Sequence, residues 1–315
     1  MPDDAESVHT APVALVGAGA VGTALARRLV ACGHSVRAIL SRDPASANAL
    51  AERVGASVGA TEWTALPSDI RLVMICVPDD ALPTVAEALA AVNHPWADTL
   101  VGDTSGARTA GALAPLQRKG ATTLSFHPLQ TFAPDTPPEA FSDIVIAVEG
   151  NEEAVSAGHA LAQSIGARPV QLTASNKVRY HCAAALASNG LVALLGVVQE
   201  ILDTADLDAP GLSATDLVKP LVEQTWANLQ SAPAEHVLTG PVARGDCDTV
   251  QAHLEALSET SPHLVPLYVA LSTEMTRLAI RAGSLSPDLA EELLKILRSA
   301  LPTSSNGGPS PDLLH

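Results

Sequence analysis

Lysine is scarce in this 315-residue sequence: only Lys119, Lys177, Lys219 and Lys295 are present, and Lys and Arg together number 18 against 34 Asp and Glu, a formal charge of −16. Such an excess of acid argues against a nucleic-acid partner and against anionic membrane surfaces. It suits a salt-rich cytoplasm, where stability would rise with salt. Cysteine is also sparse. Cys32, Cys76, Cys182 and Cys247 are far apart with no C-x-x-C pair, so neither a disulfide framework nor a zinc site is expected, and no metal is implied. The first ten residues are acidic and polar, unlike a signal or transit peptide, and a cytoplasmic location is expected. Long apolar runs are rare. The longest, Cys182 to Val198, includes Ser188, Asn189 and two glycines. It is about long enough to span a membrane, but no second span exists. We read it as a buried helix of a core or a dimer interface. There is no internal repeat. With 47% hydrophobic and 17% charged residues, the chain has enough apolar content for a large core, and its length suggests two domains.

What is present begins at Val13–Gly22, VALVGAGAVG. A short apolar run, Ala14, Leu15 and Val16, ends in Gly17-x-Gly19-x-x-Gly22. Val21, Ala24, Leu25, Leu29 and Cys32 then follow at helical spacing. This is the strand–turn–helix context of a dinucleotide fingerprint. Gly17 permits the tight turn, Gly19 lets a pyrophosphate approach the backbone, and Gly22 lets the helix pack closely. With Ala18, Ala20 and Val21 they form the expected phosphate loop at a helix N-terminus. The alternative is a structural glycine turn without a ligand. The next strand, Ser35–Leu40, ends in Ser41-Arg42, about 20 residues beyond the last glycine, where an NAD enzyme places an acid and an NADP enzyme an Arg. Ser41 and Arg42 therefore favour NADP(H), although Asp43 would repel a phosphate if it pointed inward.

Further along, Ile70–Val77 reads as a buried strand ending in Val77-Pro78-Asp79-Asp80, and Thr99–Asp103 as a strand entering Thr104-Ser105-Gly106. Val77, Pro78, Thr104 and Ser105 would meet the cofactor at the carboxyl edge of the sheet. Ala121–Phe126 precedes His127, and Ile144–Val148 and Pro169–Leu172 flank a helix from about Glu152 to Ile165. The alternation predicts an α/β, doubly wound Rossmann sheet over 1–173, followed by an all-helical domain over 174–302 and a mobile tail over 303–315. Ser213, Ser261 and Ser286 are expected N-caps, and Gly283 closes the helix begun at Ser261.

Three places could carry chemistry. On a helix, Lys177, His181, Ala184 and Ser188 share one stripe; Asn189 lies about 100° off it unless Gly190 distorts the turn. A cation in the first turn is disfavoured by the helix dipole, and burial would lower its pKa further, so Lys177 is a candidate general acid, with His181 sharing or replacing it. Otherwise these are a surface Lys and a core His. His127, after a strand at the nicotinamide edge, could bind a substrate oxygen or transfer a proton, or only shape its loop. The loop Leu238–Asp246, with Thr239, Arg244 and Asp246, suits a carboxylate, or is a structural loop with a local Arg–Asp pair.

Together the fingerprint, Val77-Pro78-Asp79, Thr104-Ser105-Gly106, the HPLQTF run from His127, Tyr180-His181 through Ser188-Asn189, and LTGPVARGD resemble a family. It is that of Rossmann-like oxidoreductases with a C-terminal helical domain of unknown function, which includes alternative ketopantoate reductases. The wider superfamily includes β-hydroxyacid dehydrogenases, pyrroline-carboxylate reductases and prephenate dehydrogenases. The resemblance implies an NADPH-dependent reductase of a small 2-oxo acid, ketopantoate first, acting as a homodimer through the helical domain. Catalysis would involve Lys177, His181 or His127, and substrate binding Ser188, Asn189, Thr239, Arg244 and Asp246. The superfamily's Lys-x-x-x-Asn pattern is matched at Lys177, whereas His181 stands in the Asn place. Alternatives are an imine, β-hydroxyacid or prephenate-like substrate, or an NADP-binding sensor without turnover.

Overall fold

Four apolar residues without an exposed face, Val13–Val16, form strand β1. Val13 and Leu15 enter one hydrophobic cluster and Ala14 and Val16 another, as expected of a strand covered on both faces. A computed structural model describes residues 11–205 and 207–301. The expectations for the N-terminal ten residues and for the tail lie outside the described residues.

β1 is followed by α1 (Ala20–Ala31), β2 (Val36–Leu40), α2 (Pro44–Val54), β3 (Val58–Ala60), β4 (Leu72–Ile75), α3 (Leu82–Ala90), β5 (Leu100–Asp103), β6 (Thr122–Pro128), β7 (Val145–Gly150), α4 (Glu152–Ser164) and β8 (Arg168–Gln171). The eight strands lie in the order β3-β2-β1-β4-β5-β6-β7-β8. The chain reverses its direction of travel across the sheet between β1 and β4, the crevice where open α/β sheets bind ligands. The Rossmann architecture is as expected, with three differences. The short β3 was not anticipated, since Val58–Ala60 lacks a long apolar run. β6 continues through His127 and Pro128. β7 is antiparallel to β6; the segment joining them holds only the short helical turn Pro138–Phe141, too little for a parallel crossover.

The chain divides into two compact units, Met1–Asn189 and Gly190–His315. This moves the expected boundary from 173/174. The physical reason is that α5 (Lys177–Ala185) drives Lys177 into the sheet region of the first unit, where it bonds Ser125 on β6. A π-helical turn, Leu186–Gly190, follows, and then α6 (Leu191–Asp203). The anticipated distortion near Gly190 is thus a π turn, whose extra residue shifts the helical phase. The longer helices that follow are α7 (Ala214–Ser231), α8 (Cys247–Thr260), α9 (Val265–Ala282) and α10 (Pro287–Ser299). Val250, Leu254, Val265, Val269, Leu293 and Leu297 of the last three make the core of the second unit.

Caps agree with the sequence at Ser213, which forms a reciprocal capping box with Asp216, at Ser286, and at Gly283 in the left-handed conformation. Ser261 makes no side-chain cap bond; it closes α8 and precedes a short turn, Pro262–Leu264. The apolar run read as a helix of a core or a dimer interface is not buried within the chain. Ala174–Asp203 is long and apolar enough to cross a membrane by length and composition, yet none of its most apolar window is buried. Val178, Leu186 and Val192 are 71%, 68% and 71% exposed, and α7 adds exposed Leu221 and Trp226.

Candidate active site

The glycine turn has the geometry that its residue types imply. Gly17 has φ 105°, and a Cβ there would lie 2.3 Å from the carbonyl oxygen of Cys76 at the end of β4. A Cβ on Gly22 would lie 2.0 Å from the carbonyl oxygen of Gly17, so the helix can begin this close to the turn only without one. At Gly19 a Cβ would meet nothing within 4 Å, which leaves the backbone open to a ligand. Gly19 caps α1 without a side-chain bond, and the first turn carries no acid. Ala18, Ala20 and Val21 are half-buried around it. These free N–H groups suit a pyrophosphate.

Ser41, half-buried, and Arg42, exposed, follow β2. Asp43 is committed elsewhere. Its carboxylate caps α2, accepting from Ser46 N at 3.0 Å, Ala45 N at 3.4 Å and the Ser46 hydroxyl. The Ser46 side-chain bond above all holds its pKa below the usual value. This removes the objection that Asp43 raised against a 2′-phosphate beside Ser41 and Arg42. Val77, Pro78 and Thr104 leave β4 and β5 as accessible positions, whereas Ser105 is buried.

Beneath the edge of the sheet lies a buried charge cluster. Asp103 ends β5, fully buried; its Oδ1 accepts from Ser105 N at 2.9 Å, and its Oδ2 has no hydrogen-bond partner among the described residues. Burial raises its pKa to about 7, against the pull of Lys177. Glu149 on β7, also buried, accepts from Ala110 N at 2.7 Å. Lys177 is 1% exposed, and its Nζ donates to Ser125 Oγ, which in turn donates to the Ser105 carbonyl at 3.3 Å. Burial lowers the Lys177 pKa, as the sequence predicts, while Asp103, Glu149 and Asp79 resist that shift. Lys177 therefore points inward, to Ser125, and not into open space.

The more accessible groups stand beside it. His127, near the end of β6, is hydrogen-bonded at Nδ1 to Tyr180 Oη, 3.0 Å away. Its ring meets those of Tyr180 and His181 edge-on, at centroid distances of 5.5 and 6.1 Å. Burial, with the charges of Lys177 and His181, pulls the His127 pKa down to about 4, so the ring is neutral at ordinary pH. Gly106 lies between the two imidazoles. A Cβ there would be 2.3 Å from His181 Cδ2, 2.8 Å from His127 Nε2 and 2.9 Å from His181 Nε2. Gly106 is thus buried and packed against both rings, with no room there for a side chain. The structure brings Lys177, His181 and His127 together. Ser188 is half-buried and Asn189 exposed in the π turn.

Asp103, Ser125, Glu149, Gly106 and Tyr180 were not singled out for roles by sequence. The first three sit in strands, where polar residues give no signal of the face they occupy.

In the second unit, Thr239 is exposed and Gly240, at φ 98°, starts the single turn Pro241–Arg244. Asp246 caps α8, accepting from Thr249 N at 3.1 Å and Thr249 Oγ1 at 2.9 Å. Its approach to Arg244 is loose, 4.0 Å, and the Arg244 side chain is 66% exposed. Asp246 thus serves as a helix cap and a loose partner of Arg244, whose side chain is largely exposed.

A Rossmann sheet with an open glycine turn, two histidines at its edge and an all-helical second unit define the class of protein. Residues 1–128 match the model of a Rossmann-like domain, and residues 144–275 that of a domain of unknown function, DUF2520. Among curated proteins, none matches the chain. Solved structures share the fold. Protein TM1727 from Thermotoga maritima is 27% identical, with a TM-score of 0.66 over 85% of this chain and 98% of that one. BF3122 from Bacteroides fragilis, assigned as an NADP oxidoreductase, is 23% identical, with a TM-score of 0.68 over 85% and 99%. A reductive aminase from Aspergillus terreus, in complex with NADPH and ethyl levulinate, is 20% identical, with a TM-score of 0.63 over 90% and 98%.

Proposed function

We propose that this protein is an NADP(H)-dependent reductase of a small carbonyl acid, with ketopantoate as the first substrate to try. One observation carries the reading. The Nε2 atoms of His127 and His181 converge over Gly106, in the loop that leaves the same carboxyl edge of the sheet as the open turn at Gly19. Gly17, Gly19, Gly22 and the first turn of α1 would hold the pyrophosphate, and Ser41 and Arg42 the 2′-phosphate. When bound, the nicotinamide supplies a hydride. His127 meets the substrate oxygen as negative charge develops there, and His181 delivers the proton. Lys177 is too buried to touch substrate; its role is electrostatic, through Ser125 and β6. Arg244 is the cation offered to a carboxylate. We further propose a homodimer in which a second copy covers the exposed apolar residues of α6 and α7. The ion pair Lys219–Glu223 on α7 suits the wet rim of a protein interface better than lipid.

The test is NADPH consumption by the purified chain with ketopantoate, other 2-oxo acids, cyclic imines and a prephenate-like acid. Turnover with a 2-oxo acid, lost in His181→Gln, is expected. Tight NADPH binding without turnover of any of them would overturn the reading in favour of a sensor.

A further inference from the structure

We propose that Tyr180 is a positioning residue that fixes the single proton of His127 on Nε2, so that a neutral imidazole has an N–H to offer to a substrate carbonyl oxygen. The identity of that oxygen rests on the reductase reading; the tautomer is a property of the protein alone.

The geometry leads there in three steps. Tyr180 Oη stands 3.0 Å from His127 Nδ1. A phenol is a strong donor and a weak acceptor, because its oxygen lone pair is delocalised into the ring; a neutral imidazole nitrogen is the better acceptor. The hydroxyl therefore donates, Nδ1 accepts, and the one remaining ring proton belongs to Nε2. Burial pushes the Tyr180 pKa up to about 12, which keeps the phenol protonated.

Next, Nε2 lies on the side of the ring that packs against Gly106, beside His181. The point where a side chain on residue 106 would start is 2.8 Å from His127 Nε2 and 2.9 Å from its counterpart on His181.

Finally, the surroundings keep the ring from taking a second proton. Lys177 and Tyr180 face it from α5, with His181 one turn on, and Asp79 from the loop after β4. Ser125, which holds the Lys177 ammonium, lies two residues before His127 on the same strand. Burial and the cation outweigh Asp79. A neutral histidine that polarises a carbonyl without giving up its proton leaves proton delivery to His181. The two imidazoles thus have different tasks, and Tyr180 separates them.

Nitrogen NMR of the full-length protein, labelled in its histidine rings, tests this without cofactor or substrate. The expected spectrum places the His127 proton on Nε2, with Nδ1 showing the shift of a hydrogen-bonded acceptor. Tyr180→Phe keeps the ring and its packing but loses that acceptor signature, whereas Tyr268→Phe leaves it intact. With a substrate in hand, Tyr180→Phe lowers kcat by about tenfold to a hundredfold with little change in KM, since a ring free to change tautomer is often wrongly presented. A proton on Nδ1 in the wild type, or a His127 spectrum unmoved by Tyr180→Phe, overturns the proposal whatever the turnover. Failure to find any reductase activity would instead remove the oxygen from the picture and leave the tautomer to the spectrum.

Discussion

The only two tyrosines of this chain, Tyr180 and Tyr268, each hydrogen-bond a histidine, and the two pairs are near copies. Tyr180 Oη lies 3.0 Å from His127 Nδ1 and Tyr268 Oη 2.8 Å from His253 Nδ1; the rings meet edge-on at 89° and 87°. Their settings differ. His127 is partly buried beside a buried ammonium and faces a second imidazole across a glycine. His253 is exposed on α8, near the capping carboxylate of Asp246. The same hydrogen bond thus lies at the surface in one unit and in the candidate active site of the other. Burial and a neighbouring cation make the difference, because a low-dielectric setting magnifies each polar group placed in it.

The contrast should break most visibly at the histidines. His127→Gln should lower kcat/KM by about 10²–10⁴-fold, whereas His253→Gln should leave it within about a factor of two; steady-state kinetics with NADPH and the best substrate reads both. Crowding the contact at Gly106 comes next. Gly106→Ala must displace the His181 ring, whose Cδ2 would lie 2.3 Å from the new methyl. A loss of about tenfold or more in kcat is expected, since an ångström of misplacement is costly, and the NADPH Kd, measured by fluorescence, should not move. Equal losses of turnover and cofactor binding would mean that the loop, and not the imidazole pair, was damaged. Arg42→Ala should raise the NADPH Kd about tenfold and leave that of NADH unchanged, the effect of one charge-assisted bond.

The smallest effect is in stability against pH. Asp103, raised to about 7, keeps in the folded state a proton that the unfolded chain has released, so its contribution falls as pH rises from about 4 to about 7. His127, lowered to about 4, lacks when folded a proton that the unfolded chain binds, so its contribution rises over pH 4 to 6.5. The two slopes oppose each other. Asp103→Asn should therefore tilt denaturant-derived stability upward with pH in that window, and His127→Gln downward, each by at most about 1.4 kcal/mol per pH unit. Identical pH profiles for both variants and wild type would show that neither group is perturbed.

What sequence could and could not reveal follows from locality. The turn from Gly17 to Gly22, the strand before it and the helix after it are one continuous segment, so their apolar spacing and glycines state the structure directly. The burial of Lys177 was also legible, from its first-turn position amid apolar neighbours. Tyr180 was not, because its partner stands on β6, more than fifty residues earlier, and only the docking of α5 against the sheet brings them together. Its scarcity was the available signal: one of two tyrosines, next to a histidine. Asp103 and Glu149 end or line strands read as apolar runs, where a lone acid carries no mark of which way it faces. Asp43 was read as a threat to a phosphate because a cap bond to Ser46 depends on backbone geometry. For the apolar run Cys182 to Val198 the sequence left two readings, a core helix or a dimer interface, because apolar content alone does not say whether the cover comes from the same chain or another.

The most direct measurement is NADPH consumption with ketopantoate as substrate by the wild type, His127→Gln and His253→Gln, side by side with NADPH binding for each. A reductase built on the buried pair predicts the same NADPH affinity in all three, turnover in the wild type and His253→Gln, and little in His127→Gln. Turnover by His127→Gln equal to wild type, or loss shared equally by the two variants, would contradict it.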